Sequence, residues 1–501
     1  MKTIKGLYKL KYILLFITIL FLFYPALSNF YTHDDFFQFR ISDAHSLKDF
    51  ILFFDPIHAP EGWGFYRPLT TQVLYFLVRN LFNFDPLAAH SLALAMFLLV
   101  CYLVYKLLLQ FTNDKKRSYI GLFLYATSAS HFTHLYSIAN QELGHAIFFL
   151  ISVITFINYM ICAEKKYILF SLLAFVGALM SKELAVTLPV ILVIVYVFIR
   201  LQKKVKLDLK ELIRLVSPFY ALLAIYGYLH VFHYGLIGGD SYVWSFSAST
   251  ALNSLVWYAL WSVNIPKMLL DFIGPGLNIN PKLMLYWSDH ITPIFILFSG
   301  FCVITFSMII ITLKRKSRQD LILFLFSITW FVLLLLPVIF LQWHKFWEYL
   351  TLPLIGIILI LSQLMIKTQE YLKSKKFLFA SKVLPLILLV VFVIQSKLTL
   401  NLAWQTEWTT AGARTARRVY DHFNDLYPDK NIPPVSIVFY DTPEDIDLPW
   451  KPSEQLKVIL SDNNFFEVFY EGKIIAVYSY TSDVLENENV IMLPARKFLG
   501  Y

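Results

Sequence analysis

The chain has 501 residues, of which 58% are hydrophobic and only 15% are charged, with a formal net charge of +9 at pH 7. A soluble domain is nearer half apolar and a quarter charged, so this composition excludes an ordinary soluble fold. Because apolar runs of about 20 residues recur, the sequence predicts an all-α polytopic membrane protein. Lys and Arg cluster in short loops between these runs, which indicates topology rather than a nucleic-acid partner.

The first apolar segment follows a basic lead at residues 2–11. It is long and lacks a convincing small-x-small cleavage site, so we expect an uncleaved first span at residues 12–29 with the N-terminus in the cytoplasm. This span delivers the adjacent carboxylates Asp34 and Asp35 to the outer face. Such a pair stabilises a fold poorly, but one carboxylate can take a proton while the other positions a metal or a substrate hydroxyl. A solvated loop start or a helix N-cap is the alternative.

The charge of the loops decides how the next segments are arranged. Residues 69–82 are apolar but short and carry Gln72 and Arg79, which favours an interfacial helix within an outer loop at residues 30–86. With that choice, every strongly basic loop falls on the cytoplasmic side. The C-terminus then lies outside. The eleven predicted spans are 12–29, 87–110, 118–135, 143–162, 166–181, 184–200, 215–236, 291–313, 320–341, 350–367 and 383–400.

Several polar clusters fall on the same outer side as the carboxylate pair. Arg67 beside Pro68 suits a phosphate or a carboxylate, although it could instead meet lipid headgroups. Lys182 and Glu183 interrupt an apolar run, where ionisable residues are functional candidates or form a boundary ion pair. The other outer clusters are His131 and His134 leading to Asn140-Gln141-Glu142, the loop at 237–290 with an interfacial helix at 252–272, and His344-Lys345-Phe346-Trp347-Glu348-Tyr349.

Histidines and cysteines are the candidate metal ligands of this sequence. His131 and His134 stand three residues apart, a spacing that can bind a metal, but no third ligand follows at a fixed distance. The three cysteines are Cys101, Cys162 and Cys302, and all lie inside apolar segments. The sequence therefore predicts neither a disulfide framework nor a cysteine metal site.

The composition changes near residue 402, where charges and prolines appear and long apolar runs stop. Helices are predicted at 404–426 and 453–460, and strands at 435–440, 465–470 and 473–480. We therefore expect a transmembrane domain at residues 1–401 and a small extracytoplasmic α/β domain at residues 402–501.

The order and sidedness of these motifs resemble the C-type glycosyltransferase (GT-C) superfamily, specifically its protein O-mannosyltransferase branch and the relatives with tetratricopeptide repeats. The resemblance covers roughly residues 1–400. The matching pieces are Asp34-Asp35 after the first span, Tyr66-Arg67-Pro68-Leu69 before the second, His134 through Asn140-Gln141-Glu142, Ser181-Lys182-Glu183, and Leu350-Thr351-Leu352-Pro353.

The resemblance implies a membrane glycosyltransferase that moves a sugar from a polyprenyl-phosphate-linked donor to a hydroxyl acceptor with inversion. Asp34 would be the general base, and Asp35 would position the acceptor or a divalent cation such as Mg²⁺ or Mn²⁺, which the pair permits without requiring it. Arg67, Lys182 and Lys345 would hold the donor phosphate. The substrate-binding set that the resemblance implies is Tyr66, Arg67, His134, Glu142, Lys182, Glu183, His344 and Lys345.

The sequence departs from the family pattern in two motifs. Asn140-Gln141-Glu142 replaces a Gly-Arg-x-Asp stretch, and Trp347-Glu348 replaces an expected Glu-Arg. A phosphate-binding cation of the family is then either lost or supplied by Lys345. Glu183 would orient Lys182. The C-terminal region shows no tetratricopeptide pattern, so the acceptor (protein, lipid or glycan) stays open.

Two other classes of protein compete with the enzyme. A flippase or transporter of lipid-linked sugars would perform no chemistry and would place its polar residues near the bilayer midplane, often in repeated halves. A membrane scaffold that presents the C-terminal domain would leave the Asp pair without a role. The one-sided clusters favour the glycosyltransferase, in the plasma membrane, with the bilayer, a lipid-linked donor and an extracytoplasmic acceptor as partners.

Overall fold

The computed structural model describes residues 2–57, 64–138, 141–234, 242–274, 276, 278–313, 317–428, 433–445, 447–479 and 490–500. Within this part of the chain, nine helical segments are long and apolar enough to cross a membrane. They are Leu10–Ser28, Pro86–Thr112, Glu142–Cys162, Glu183–Gln202, Leu209–Phe232, Lys282–Leu313, Arg318–Leu335, Leu354–Ser374 and Leu378–Thr406. The chain is therefore a multi-pass helical membrane protein, as the composition predicts.

The described part of the chain up to residue 406 is mostly α-helical. They are Lys2–Phe23 (α1), Asp34–Ile41 (α2), Leu47–Leu52 (α3), Leu74–Phe82 (α4), Pro86–Thr112 (α5), Lys115–Ala126 (α6), Phe132–Tyr136 (α7), Glu142–Cys162 (α8), Lys165–Leu179 (α9), Leu188–Gln202 (α10), Leu209–Leu229 (α11), Ala248–Trp261 (α12), Leu269–Phe272 (α13), Lys282–Leu313 (α14), Arg318–Leu335 (α15), Leu354–Ser374 (α16) and Leu378–Thr406 (α17). Strands Ile273–Gly274 (β1) and Asn278–Ile279 (β2) pair antiparallel before α14.

The loops between the helices lie at one or the other of two ends of the bundle, as the contacts between them show. At the basic end, the Tyr119 hydroxyl donates to the Lys11 carbonyl oxygen at 2.7 Å, and Lys367 pairs with Asp320 at 3.1 Å. At the opposite end, which we call the site end, the connections before α4, before α8, after α9 and before α16 meet one another. The helices thus alternate between the two ends in the order that the loop charges predict.

The count of eleven spans is not confirmed by this structure. Helices α6 and α9 have only 12 and 15 residues, and neither is among the nine segments that are long enough to span. Both nevertheless run from the basic end to the site end. Helix α6 stops at Ala126, and the short turn Ala129–His131 and α7 continue its path toward the site.

Close approach between elements depends on two glycines. A Cβ atom on Gly356 of α16 would overlap the Ser327 carbonyl oxygen of α15, so that only glycine allows these backbones to touch. A Cβ atom on Gly144 of α8 would overlap the Thr70 side chain. Because Thr70 lies in the turn Pro68–Val73, this approach holds the segment that carries Arg67 against the start of α8.

The C-terminal region is an α/β unit built on three parallel strands. Its elements are Trp408–Leu426 (α18), Val435–Tyr440 (β3), Pro452–Ile459 (α19), Asn464–Tyr470 (α20), Ile474–Ser479 (β4), Val490–Pro494 (β5) and Arg496–Leu499 (α21). The strand order is β4-β3-β5, with Ser436 opposite both Ile475 and Val490. Its core continues into the segment that follows α1, because Phe30, Phe36 and Phe39 belong to the same buried cluster.

Some predicted elements are confirmed and others are wrong. Strands at 435–440 and 474–479 and the helix near 453–460 are present, as is a short helix at Leu74–Phe82. Residues 465–470 are a helix instead of a strand, because the aromatic cluster is buried at helical spacing against α2. The predicted helix at 252–272 ends at Trp261, shortly before Pro266. The domain boundary at 401/402 stays a prediction, since α17 crosses it without a break.

Candidate active site at one end of the bundle

Asp34 opens helix α2 and presents an accessible carboxylate. Its side chain is 55% exposed, and its Oδ1 lies 2.7 Å from Nδ1 of His33. His33 has φ 48°, a region that non-glycine residues rarely adopt, and its backbone N–H donates to the Ile459 carbonyl oxygen of the C-terminal unit at 2.8 Å. Surrounding protein opposes ionisation of Asp34, but the hydrogen bond with His33 and the charges of His33 and Arg67 outweigh it, so its pKa is lowered. Asp34 is therefore a carboxylate at neutral pH.

Asp35 has the opposite environment, because it is only 1% exposed. Tyr75 donates its hydroxyl to Oδ1 at 2.5 Å, and the Thr32 backbone N–H donates to Oδ2 at 2.9 Å. Burial raises the pKa of Asp35 to about 7, although these two hydrogen bonds oppose the rise. The adjacent carboxylates thus differ in role: Asp34 meets solvent, and Asp35 fastens the start of α2.

The structure does not fit a Mg²⁺ or Mn²⁺ ion on Asp35. Both of its oxygens already accept hydrogen bonds from protein donors, and the residue is buried. Across the described parts of the chain, no group of three or more His, Cys, Asp or Glu residues is placed to hold a metal ion. We therefore derive no step through a metal.

The raised pKa of Asp35 predicts a pH-dependent stability. An unfolded Asp has a pKa of about 3.9, so the folded state binds the proton more tightly between about pH 4 and 7, and this contribution to stability is lost as the pH rises through 7. In Asp35→Asn the contribution is absent, while the amide can still bond to Thr32 and Tyr75. We expect the melting temperature of Asp35→Asn relative to wild type to rise from pH 5 to pH 8. Parallel curves for the two proteins would contradict this.

Arg67 joins three segments through its guanidinium group. Nε and Nη2 donate to the two carboxylate oxygens of Glu183 at 2.9 and 2.7 Å, and Nη1 donates to Oε1 of Gln141 at 3.0 Å. The Phe65 ring lies 3.9 Å from the guanidinium carbon. The Thr70 hydroxyl donates to the Ser181 carbonyl oxygen at 2.7 Å, which ties this segment to the one that carries Glu183. Residues far apart in sequence thus build one bidentate ion pair.

Lys182 forms the second ion pair of the cluster. Its ammonium pairs with Glu142 and lies 4.9 Å from the centre of the Tyr349 ring. The Tyr349 hydroxyl lies 2.7 Å from Nε2 of His344, whose pKa is lowered to about 4 by burial and by the charges of Lys182 and Arg67. His344 is therefore neutral at pH 7. The prediction that Glu183 orients Lys182 is wrong: Glu183 holds Arg67, and Glu142 holds Lys182.

His131 and His134 form hydrogen bonds that support loops next to the two ion pairs. Nε2 of His134 lies 2.6 Å from the Thr351 hydroxyl, which itself donates to the Glu348 carbonyl oxygen at 2.7 Å, so the histidine Nε2–H is the donor. His131 Nε2 lies 2.9 Å from the Tyr125 carbonyl oxygen and donates to it. Both rings are buried, so they position the loops before α8 and α16.

Two other predicted binding residues bond within their own loops. The Tyr66 hydroxyl donates to the Phe54 carbonyl oxygen at 3.0 Å. The Lys345 ammonium donates to the Gln342 carbonyl oxygen at 2.9 Å, and burial lowers its pKa. These contacts do not bring Tyr66 or Lys345 to the two ion pairs. Asn140 of the third motif and residues 235–241 of the predicted outer loop lie outside the described residues.

Two further charged residues, Glu348 and Lys267, lie near the two ion pairs and are not in the binding set predicted from the sequence. Glu348 is enclosed beside the Lys182–Glu142 pair, and burial raises its pKa to about 7 while the charge of Lys267 opposes the rise. Lys267 pairs with Glu407 at 2.8 Å and lies 5.0 Å from the Phe346 ring centre. Their position in the sequence could have indicated them, because each is an ionisable residue next to an apolar segment, where charges are costly.

No protein-family model and no curated protein matches this chain. Among solved structures it is similar to an oligosaccharyltransferase from Archaeoglobus fulgidus in complex with Zn and sulfate, at 12% identity and TM-score 0.47, over 93% of this chain and 62% of that one. It is also similar to the oligosaccharyltransferase AglB from Archaeoglobus fulgidus, in complex with an inhibitory peptide and a dolichol-phosphate, at 13% identity and TM-score 0.42, over 86% and 60%.

This chain therefore spans less than two thirds of the length of either oligosaccharyltransferase. Similarity at this distance does not assign the chain to a family. The O-mannosyltransferase-like relationship predicted from the motifs is not confirmed.

Proposed function

We propose that this chain is an integral-membrane glycosyltransferase that moves a sugar from a polyprenyl-phosphate-linked donor to a hydroxyl group of an acceptor. One observation carries the proposal: an accessible carboxylate, Asp34, lies within the electrostatic field of Arg67 at one end of a bundle of apolar helices. A base for a hydroxyl and a cation for a phosphate are the two groups that this reaction needs.

The chemistry follows from these charges. Asp34 takes the proton from the acceptor hydroxyl as the oxygen bonds to the anomeric carbon of the sugar. The bond from that carbon to the phosphate oxygen breaks, and the lipid phosphate leaves with the electron pair. Arg67 and Lys182 stabilise the negative charge on the leaving phosphate. Attack from the face opposite the phosphate inverts the configuration of the sugar.

The loop charges support an orientation in which the basic end faces the cytoplasm. The described cations at or near this end include Lys116, Arg117, Lys165, Lys203, Arg318 and Lys375. Helix α1 starts at the same end, since the Lys11 carbonyl oxygen accepts from Tyr119. We therefore propose a plasma-membrane protein with a cytoplasmic N-terminus, an extracytoplasmic C-terminal unit, and an acceptor on the outer side.

The direct test is sugar transfer in membranes that contain the overexpressed protein. A panel of polyprenyl-phosphate sugars, each radiolabelled in the sugar, is incubated with candidate protein, lipid and glycan acceptors, and labelled product is separated from the donor. We expect transfer from at least one donor, with release of the polyprenyl phosphate in equal amount. Membranes without the protein supply the background.

The same assay separates the transferase from a flippase. If no donor yields product while labelled lipid reaches the opposite leaflet, the protein moves lipid-linked sugars without chemistry and the proposal fails. The placement of the Arg67–Glu183 and Lys182–Glu142 pairs at one end of the bundle supports the enzyme, because transporters bind substrate near the bilayer midplane.

A further inference from the structure

A cavity of about 480 Å³ lies between the C-terminal unit and the segment between α1 and α5, which we call the first outer segment. We call it the seam cavity, because both parts of the chain line it. The outer segment contributes Phe30, Arg79 and Phe84, and the C-terminal unit contributes Arg417, Tyr420 and Phe469. Its volume is in the range of small-molecule sites, and it is separate from the two ion pairs of the candidate active site.

Four aromatic rings that pack against one another line the seam cavity, and we call them the aromatic wall. The centre of the Phe469 ring lies 6.0 Å from that of Phe30, 5.6 Å from that of Phe84 and 5.0 Å from that of Tyr420. Phe84, Tyr420 and Phe469 are only partly buried, so part of each ring is accessible. A ligand with a flat apolar face can stack on such a wall.

The polar rim of the cavity is balanced in charge. Arg79 lies 3.0 Å from Asp43, and Arg417 lies 2.8 Å from Asp421. Lys473, which also lines the cavity, lies 3.2 Å from Glu471. Each of these cations therefore sits beside a carboxylate. Glu471 and Asp85 also line the cavity, so the rim offers N–H donors and carboxylate acceptors together.

A sugar fits both features. Its hydroxyl groups are donors and acceptors at once, and one face of its ring presents C–H groups that pack on aromatic surfaces. We propose that the seam cavity binds carbohydrate of the acceptor, so that the hydroxyl deprotonated by Asp34 belongs to a glycan. This inference rests on the proposed transferase function and names its acceptor class.

The seam cavity lies within reach of the catalytic carboxylate. Phe30 precedes Asp34 by four residues, so their Cα atoms are at most about 15 Å apart. Phe36 of α2 packs its ring 6.0 Å from that of Phe469. The aromatic wall and the base are thus attached to the same short segment, and an oligosaccharide of a few units can bind the wall while its terminal hydroxyl reaches Asp34.

Binding to the full-length protein in detergent tests the inference without requiring transfer. Fluorescently labelled neutral oligosaccharides of hexose and of N-acetylhexosamine serve as probes, read by fluorescence anisotropy. We expect at least one probe to bind wild type and Asp34→Asn equally, and Tyr420→Ala and Arg417→Gln to weaken it at least tenfold. Trp408→Ala is the matched control, since Trp408 stacks on Trp450 in the same unit, at 5.2 Å, away from the cavity. If Tyr420→Ala or Arg417→Gln does not fold, Arg79→Gln is used instead, because Arg79 lines the cavity from the first outer segment.

Transfer kinetics then identify whose sugar is bound. If the acceptor carries it, Tyr420→Ala raises the KM for the acceptor and leaves kcat and the KM for the donor unchanged. A raised donor KM would mean that the cavity holds the sugars of the donor, and it would overturn the assignment. Three other results would also overturn the assignment: weakened binding in the control Trp408→Ala, no binding of any probe to wild type, or binding of anionic vesicles that depends on Arg417 and Tyr420. Oligosaccharide binding without any transfer would leave the cavity in place and refute only the transferase.

Discussion

Asp34→Asn is expected to lower the rate of sugar transfer by about 10²–10⁴-fold, the contribution that a positioned general base typically makes. The amide has nearly the same shape as the carboxylate but cannot take the hydroxyl proton. Because the side chain is 55% exposed and its ion-pair partner is the adjacent His33, the fold should not change. The measurement is kcat at saturating donor and acceptor, with expression and melting temperature of each protein determined in parallel.

The neighbouring residue supplies the sharpest control for this prediction. Asp35→Asn removes a carboxyl that is buried and bonded to Tyr75 and Thr32, so we expect less than a tenfold change in kcat. Asp425→Asn, an exposed residue of α18, controls for loss of an outer carboxylate in general. If Asp34→Asn retained full activity, or if Asp35→Asn alone abolished it, the assignment of the base would be wrong.

Variants of the Arg67–Glu183 pair should separate phosphate binding from structural support. Both side chains are largely buried, with 10% and 23% exposed, so removing either partner should cost about 3–5 kcal/mol of stability by leaving a charge uncompensated. Arg67→Ala also removes the cation that we propose binds the donor phosphate. We therefore expect it to raise the KM for the donor at least tenfold, while Glu183→Gln lowers the melting temperature comparably without raising that KM.

Arg67→Lys tests the role of the guanidinium geometry. A lysine keeps the charge but loses the fork that binds Glu183 through two nitrogens and Gln141 through the third. We expect intermediate stability and a donor KM between those of wild type and Arg67→Ala. If Arg67→Ala and Glu183→Gln raised the donor KM equally, the pair would have only a structural role. The donor phosphate would then bind elsewhere.

Much of the site could be predicted because membrane topology is written in local sequence. Apolar length and loop charge are properties of short segments, so the alternation of helices between two ends followed from residues such as Lys116 and Lys203. That alternation alone placed Asp34, Arg67 and Lys182 at one end. In the structure the charge of Arg67 acts on Asp34, and Arg67 and Lys182 form two ion pairs, although Glu183 pairs with Arg67 and not with Lys182 as predicted.

The ion-pair partners could not be predicted from the sequence, because they depend on the direction in which each side chain points. Lys182 and Glu183 are adjacent, but Lys182 has extended backbone angles, φ −165° and ψ 145°, and successive side chains of an extended segment point to opposite sides. Glu183 consequently faces Arg67, and Lys182 faces Glu142. A sequence that places two charges side by side does not reveal this separation.

The sequence alone predicts that the chain crosses a membrane repeatedly and that Asp34, Arg67 and Lys182 lie on the same side of it. The folded structure adds that Asp35 is buried and hydrogen-bonded, that Glu348 and Lys267 lie near the two ion pairs, and that residues 465–470 form a helix against α2. It also created the seam cavity from Phe84 and Phe469. The physical reason is range: hydropathy and loop charge act along neighbouring residues, whereas burial, ion pairing and cavity shape depend on segments that meet only after folding.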